Sequence, residues 1–252
     1  MDLGLKGKNV IVTGGSRGIG RATALAFAAE GANVAICARN AEALARARTE
    51  IAAFGVNAFA QSCDVGDAAA LTAFLDAANN ALGGVDVLVN NPSGFGMADD
   101  DAGWAAGFNV DMMAAVRASW QVVPWMEARG GGAIIHIASI SGMEGSTRSI
   151  PYAAVKAAMI SHSKSLALSL APKNIRVNCV SPGSVEFPGG VWEQRRLEGS
   201  PIYEATRQGI PFKRMGRPEE VAAAVVFCAS APASWLNGVN LPVDGGQHRG
   251  NL

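Results

Sequence analysis

No block of lysine and arginine stands anywhere in this 252-residue chain, and its 21 basic side chains are balanced by 21 acidic ones, so nothing draws it electrostatically to nucleic acid. Long apolar runs are missing too: no segment approaches the ~20 residues that a membrane span needs. The opening MDLGLKGKNVIVTGG has no extended apolar core behind a basic start, and the chain is read as soluble and untargeted. Cysteine is scarce and scattered. Cys37, Cys63, Cys179 and Cys228 form no CxxC pair and three of them lie among apolar neighbours, which suits reduced, buried thiols and not a metal site or a disulfide framework. A cytoplasmic protein without a metal is expected. No linker, low-complexity tract or repeat divides the chain, so residues 1–252 are read as one domain with a large core.

What the chain does have is a regular alternation. Residues 8–13, KNVIVT, are a β-branched run ending in a glycine cluster, and RATALAFAAEG follows with helical apolar spacing and a glycine stop. A second strand at 33–39, an alanine-rich amphipathic helix and a third strand in NAFAQSCDV repeat the unit. The pattern continues with a helix near 67–82, the strand VDVLVNN, a long helix near 102–128, a strand at 132–139 and a helix over 151–170. IRVNCVSPG and GVNLPVDGG supply a sixth and a seventh strand. Such alternation predicts an α/β fold: a doubly wound parallel sheet of about seven strands with helices on both faces. Only residues 184–215 break the rhythm, with three prolines and the apolar anchors Val191, Trp192, Ile202 and Tyr203. An insertion after the carboxyl end of a strand is where α/β enzymes keep substrate lids; a packed connecting pair of helices is the alternative.

Gly14, Gly18 and Gly20 lie in the turn between the first strand and the first helix, with Ser16, Arg17 and Ile19 among them. A phosphate needs close backbone approach and free N–H groups, and a glycine-lined turn running into a helix N-terminus offers both. The second strand ends at Arg39, with no carboxylate to hold the ribose hydroxyls of NAD(H). A guanidinium fork there suits the extra phosphate of NADP(H), with Arg17 as a second positive charge, although stacking on adenine or facing solvent are also open to Arg39. Asp64 and Val65 close the third strand and Asn90 the fourth, at the edge where a dinucleotide lies. Two roles are open to Asp64: accepting from the adenine amino group, or capping the next helix.

Tyr152 and Lys156, in YAAVK, are four apart and share one helix face. An ammonium beside a phenol favours the phenolate and makes a tuned acid. The glycine turn, Asp64, Asn90, Asn109, Ser139, Tyr152, Lys156 and the SPG of residues 181–183 stand in one order over nearly the whole chain. Together they resemble the short-chain dehydrogenase/reductase family, and the PEEVA helix and VDGG resemble its 3-oxoacyl carrier-protein reductase-like branch. The resemblance implies a Rossmann-type sheet, a nicotinamide cofactor, hydride transfer at a carbonyl or alcohol carbon and, frequently, a homotetramer. It makes Tyr152 the general acid, Lys156 the group that tunes it and holds the nicotinamide ribose, and Ser139 a hydrogen-bond donor to the substrate carbonyl. Asn109 would anchor a water that feeds protons to Lys156. Pro182 and Gly183, with Val185 beyond them, would place the nicotinamide. Turn capping remains the other role for Ser139, and an ordinary helical position for Asn109. His136, inside an apolar strand, is read as a satisfied core histidine.

Two departures stand out. NNPSGFG replaces the family's NNAG, so Pro92 removes a donor beside the cofactor. Phe187 stands where a threonine often binds the nicotinamide carboxamide, with Ser184 or a backbone group as substitutes. Phe95, Met97, Met143, Phe187, Val191 and Trp192, with Ser141, form the expected substrate wall, whose apolar character favours a hydrophobic ketone over a sugar. The expected function is NADP(H)-dependent reduction of a hydrophobic ketone or 3-oxoacyl group. The rivals are an alcohol dehydrogenase oxidising a steroid, sugar or aromatic alcohol, and a nucleotide-binding regulator without turnover.

Overall fold

Strand β1, Asn9–Thr13, is buried at every residue, which is why its sequence runs apolar instead of alternating: both of its faces are covered. Val10 and Val12 point into one core and Ile11 into the other. In the computed structural model, which describes residues 1–250, six more strands join β1. They are β2 (Asn33–Ala38), β3 (Ala58–Ser62), β4 (Val87–Asn90), β5 (Gly132–Ile137), β6 (Ile175–Pro182) and β7 (Asn240–Val243). The order is β3-β2-β1-β4-β5-β6-β7 and every pairing is parallel. This is the doubly wound Rossmann-type sheet that the alternation predicts.

Helices α1 (Gly18–Ala29) and α2 (Ala41–Ala52) cover one face together with α9 (Pro218–Ala229). The other face carries α3 (Ala68–Leu82), α5 (Ala114–Ala128) and the end of α6 (Ile150–Leu170). Local chemistry starts two of them: Asn40 caps α2 by accepting from Ala43 N at 2.8 Å, and Asp67 caps α3 by accepting from Ala69 N and Ala70 N.

The helix expected over 102–128 is three segments. Helix α4 (Asp101–Ala106) passes into a π-helical stretch, Gly107–Met113, and then into α5. The π stretch presses on α6, and a Cβ at Gly107 would lie 3.2 Å from Val155 Cγ2. A π turn spans between four and five residues, so Gly107 and Asp111 are the two buried positions of the stretch while Phe108 and Asn109 face outward.

The excursion at 184–215 holds α7 (Val191–Leu197) and α8 (Pro201–Gly209), neither with a buried residue. Its neck is tied by Glu186 N to Gly216 O and Gly216 N to Ser184 O, both 2.9 Å. Among the described residues no helix is long and apolar enough to cross a membrane.

Candidate active site

The strand order reverses between β1 and β4, and the crevice opens there. Its floor is lined by Thr13, Val65, Asn90, Pro92, Asp111 and Ile137. On the β1 side, Gly14 and Gly18 have positive φ (70° and 54°), which their Cβ-free backbones accommodate. Gly20 is held so close that a Cβ would lie 2.2 Å from Gly14 O. Arg17, at the N-cap of α1, makes no side-chain cap, and no acid stands in the first turn. The leading amides of a 12-residue helix thus have neither a side-chain cap nor an acid of the first turn against them. Those features fit a dinucleotide phosphate. Arg39 is exposed at the end of β2, and Arg17 is exposed with Nη1 donating to Gly189 O at 3.2 Å. Ser16 and Ile19 are half-buried in the same turn, and Val65 is buried in the crevice floor.

Asp64 does not cap α3, because Asp67 does; Asp64 Oδ1 accepts from Gly66 N instead, and the carboxylate stays exposed at the strand end. Asn91 staples the two halves of the crevice, its Nδ2 donating to Thr13 O at 3.2 Å and Gly14 O at 3.0 Å. The sequence offers this residue only as half of an Asn pair. Pro182 is buried at the end of β6, and Gly183 packs so tightly that a Cβ would meet Asp244 Cβ at 2.8 Å. Val185 is buried at the neck of the excursion. Ser184 is engaged from the chain's end: Gln247 Oε1 accepts from its N–H at 2.8 Å and Gln247 Nε2 donates to its hydroxyl at 3.1 Å. Phe187 packs on the glycine turn, where a Cβ at Gly18 would lie 2.6 Å from its ring.

On the β4–β6 side the groups are sealed. Lys156, on α6, is 2% exposed; its Nζ donates to Ile137 O at 2.9 Å and lies 3.0 Å from Asp111 Oδ1. The carboxylate oxygen is out of line for a hydrogen bond, so charge more than direction holds the pair. Burial alone would push the ammonium down; the Asp111 carboxylate, with a smaller part from Tyr152, outweighs it and leaves Lys156 above its ordinary value. Asn109, expected to anchor a water that feeds protons to Lys156, is exposed, and its carbonyl accepts from Ala114 N within the π-helical hydrogen bonding. The buried face of the stretch instead brings Asp111 to the lysine, a residue whose sequence signal was an acid alone among Val110, Met112 and Met113.

Tyr152 is half-buried one turn before Lys156, whose Nζ lies 5.6 Å from its ring centre. Ser139 is buried and accepts from Ser141 N at 3.1 Å, so it caps the 3-10 turn Ile140–Gly142. That turn is packed against the lysine: a Cβ at Gly142 would lie 2.6 Å from the Lys156 carbonyl carbon. Ser139, Tyr152 and Lys156 are thereby brought to one end of the crevice.

Of the expected substrate wall, Phe95 stacks on Tyr152 with ring centres 6.0 Å apart and planes 4° apart. Ser141 and Met143 are half-buried in the segment after Ser139. Trp192 packs within the excursion, between Arg195 at 4.7 Å and Tyr203 at 6.5 Å.

His136 departs from the expectation of full satisfaction. Asn90 Nδ2 can only donate, so at 3.2 Å His136 Nδ1 accepts and the ring proton sits on Nε2, which has no partner. Complete burial, then His162 at 5.7 Å and the Lys156 charge, depress its pKa to about 3.

A family model described as enoyl-(acyl carrier protein) reductase matches residues 14–248. The chain belongs to the short-chain dehydrogenase/reductase family, oxidoreductases of alcohol and ketone substrates. It is 38% identical to isoepoxydon dehydrogenase patN of Penicillium expansum, over 98% of this chain and 97% of that protein. L-sorbose reductase of Gluconobacter frateurii, solved with NADPH and L-sorbose, superposes with a TM-score of 0.91 at 36% identity, covering 99% and 100% of the two chains. A 7α-hydroxysteroid dehydrogenase solved with NADH and 7-oxo glycochenodeoxycholic acid gives a TM-score of 0.90 at 35% identity, covering 97% and 96%.

Proposed function

We propose that this protein is an NADP(H)-dependent reductase of hydrophobic ketones. The observation that carries the reading is the buried Lys156 ammonium 5.6 Å from the Tyr152 ring, beside the Ser139 turn and at the crevice end of the sheet. A bound nicotinamide cofactor supplies the hydride. Tyr152 donates its phenolic proton to the carbonyl oxygen, Lys156 stabilises the negative charge left on the phenol, and the Ser139 hydroxyl turns from its cap to the same carbonyl oxygen. The N-terminus of α1 receives the cofactor's pyrophosphate once Phe187 moves off the glycine turn, and Arg39, with Arg17, receives the phosphate that distinguishes NADPH. Support for that preference comes from the absence of a carboxylate at the end of β2 and from the relative solved with NADPH. Phe95 over the phenol favours a flat, hydrophobic substrate, with the 184–215 segment as its lid.

A second reading, oxidation of an alcohol with NAD, is favoured by the dehydrogenase names among the relatives and by the one solved with NADH. The test is a panel of cyclic and aromatic ketones, a 3-oxoacyl thioester, a ketose and the matching alcohols, each with NADPH and NADH. Ketone reduction faster with NADPH is expected. Equal use of NADH defeats the reading of Arg39, and tight NADPH binding without turnover on any substrate defeats the enzyme. A homotetramer belongs to the same reading and is checked by sedimentation.

A further inference from the structure

Lys156 is faced from four elements. Asp111 comes from the π stretch, Tyr152 from its own helix, Cys179 from β6 and His136 from β5. Burial pushes the Cys179 thiol up to about 11 and holds His136 down at about 3, so both are neutral near pH 7. Asp111 is therefore the one anion of the set, with a fully buried side chain. Its second oxygen, Oδ2, accepts from Gly94 N at 2.7 Å. Gly94 belongs to the NNPSGFG loop, and the next residue is Phe95, whose ring covers Tyr152. One carboxylate thus touches both the lysine under the phenol and the loop above it.

We propose that Asp111 is a positioning residue: one of its carboxylate oxygens pairs with the buried Lys156 amine and the other holds the loop over Tyr152, so that it ties the amine to that loop. Asp111 touches neither substrate nor cofactor in this role and transfers no proton. It acts by countering the burial of the ammonium. One ammonium proton is directed at Ile137 O, and the Asp111 carboxylate 3.0 Å away holds the charged amine in place.

Asp111→Asn tests this, because the amide oxygen can still accept from Gly94 N while the charge is gone. Without the carboxylate, burial acts on Lys156 unopposed and the amine deprotonates at lower pH. In alcohol oxidation, the kcat of the variant should fall about tenfold relative to wild type between about pH 7 and about pH 9.5, as the charged amine is lost. Over the same range its Tm deficit against wild type should shrink, because the unpaired buried ammonium is penalised only while protonated. A merely structural defect cannot lower the rate and relieve the deficit together as pH rises. Asp111→Ser gives the same two readouts if the amide variant folds poorly by circular dichroism. A rate loss of equal size at every pH, or a Tm deficit that does not change with pH, overturns the proposal. The rate arm rests on the reductase reading; the Tm arm does not. Absent wild-type turnover would defeat that reading alone, leaving Asp111 to be decided by Tm.

Discussion

At the β1–β2 end of the crevice, Arg17 and Arg39 stand exposed beside a glycine turn, and the anion-binding capacity lies in backbone amides. At the β4–β6 end, Lys156, Asp111 and His136 are sealed from water. The glycine turn and the two arginines of the first end lie close in sequence, and their charges are screened, so any one contact there is modest. The second end gathers residues from four elements, and burial amplifies each charge and each missing partner. The sealed end should therefore suffer more from single substitutions than the open one.

The largest effect is expected from Tyr152→Phe, which removes the one phenolic proton and leaves the ring stacked on Phe95. Turnover should fall by ~100 to 10,000-fold, the usual worth of an oriented acid. NADPH affinity, measured by fluorescence quenching, should stay near wild type because the open end is untouched. Unimpaired turnover would remove the chemistry from the sealed end.

His136 gives the next effect, in stability. Its folded pKa, about 3, lies below the ordinary histidine value of 6.5. The unfolded chain thus binds the proton that the folded chain refuses. The associated stability is present above about pH 6.5 and is lost as pH falls towards 3, on the order of a few kcal/mol over the whole window. Urea melts at about pH 7 and about pH 4.5 should show wild type losing stability that His136→Asn keeps. Parallel losses would mean that the acid sensitivity arises elsewhere.

The same contrast explains what could be read from sequence. Alternating strands and helices, the glycine turn and the four-residue Tyr152–Lys156 spacing are local patterns, and the structure contains each of them. The Asp111–Lys156 contact spans 45 positions and depends on a π turn that exchanges the face shown by Asn109 for the one shown by Asp111. No periodicity of 3.6 anticipates that exchange. Gln247 reaches Ser184 across the sheet edge, a contact that only the fold creates. Asn91 was visible as a residue type, but its grip on the glycine turn needed the β1–β4 pairing.

At the open end, Arg39→Ala should lower kcat/KM for NADPH by about 10 to 100-fold, the range of one charge-assisted bond, and leave NADH nearly unchanged. A uniform drop with both cofactors would assign Arg39 to the adenine and not to the additional phosphate.

The smallest effect should come where the two ends meet, at Phe95. Its backbone sits at φ 46°, a left-handed conformation in a residue with a side chain, and the residue, stacked on Tyr152, is 53% exposed. Phe95→Gly relieves strain of about 1 kcal/mol and removes an aromatic pair of similar worth, so Tm should hardly move. The ring's value then shows only in binding: KM for an aromatic ketone should rise several-fold while KM for a small aliphatic ketone stays put. If both rise equally, Phe95 shapes the loop without touching substrate. If Tm drops sharply, the stack supports Tyr152 itself, and the boundary between the sealed chemistry and the open binding surface lies further out on the loop than Phe95.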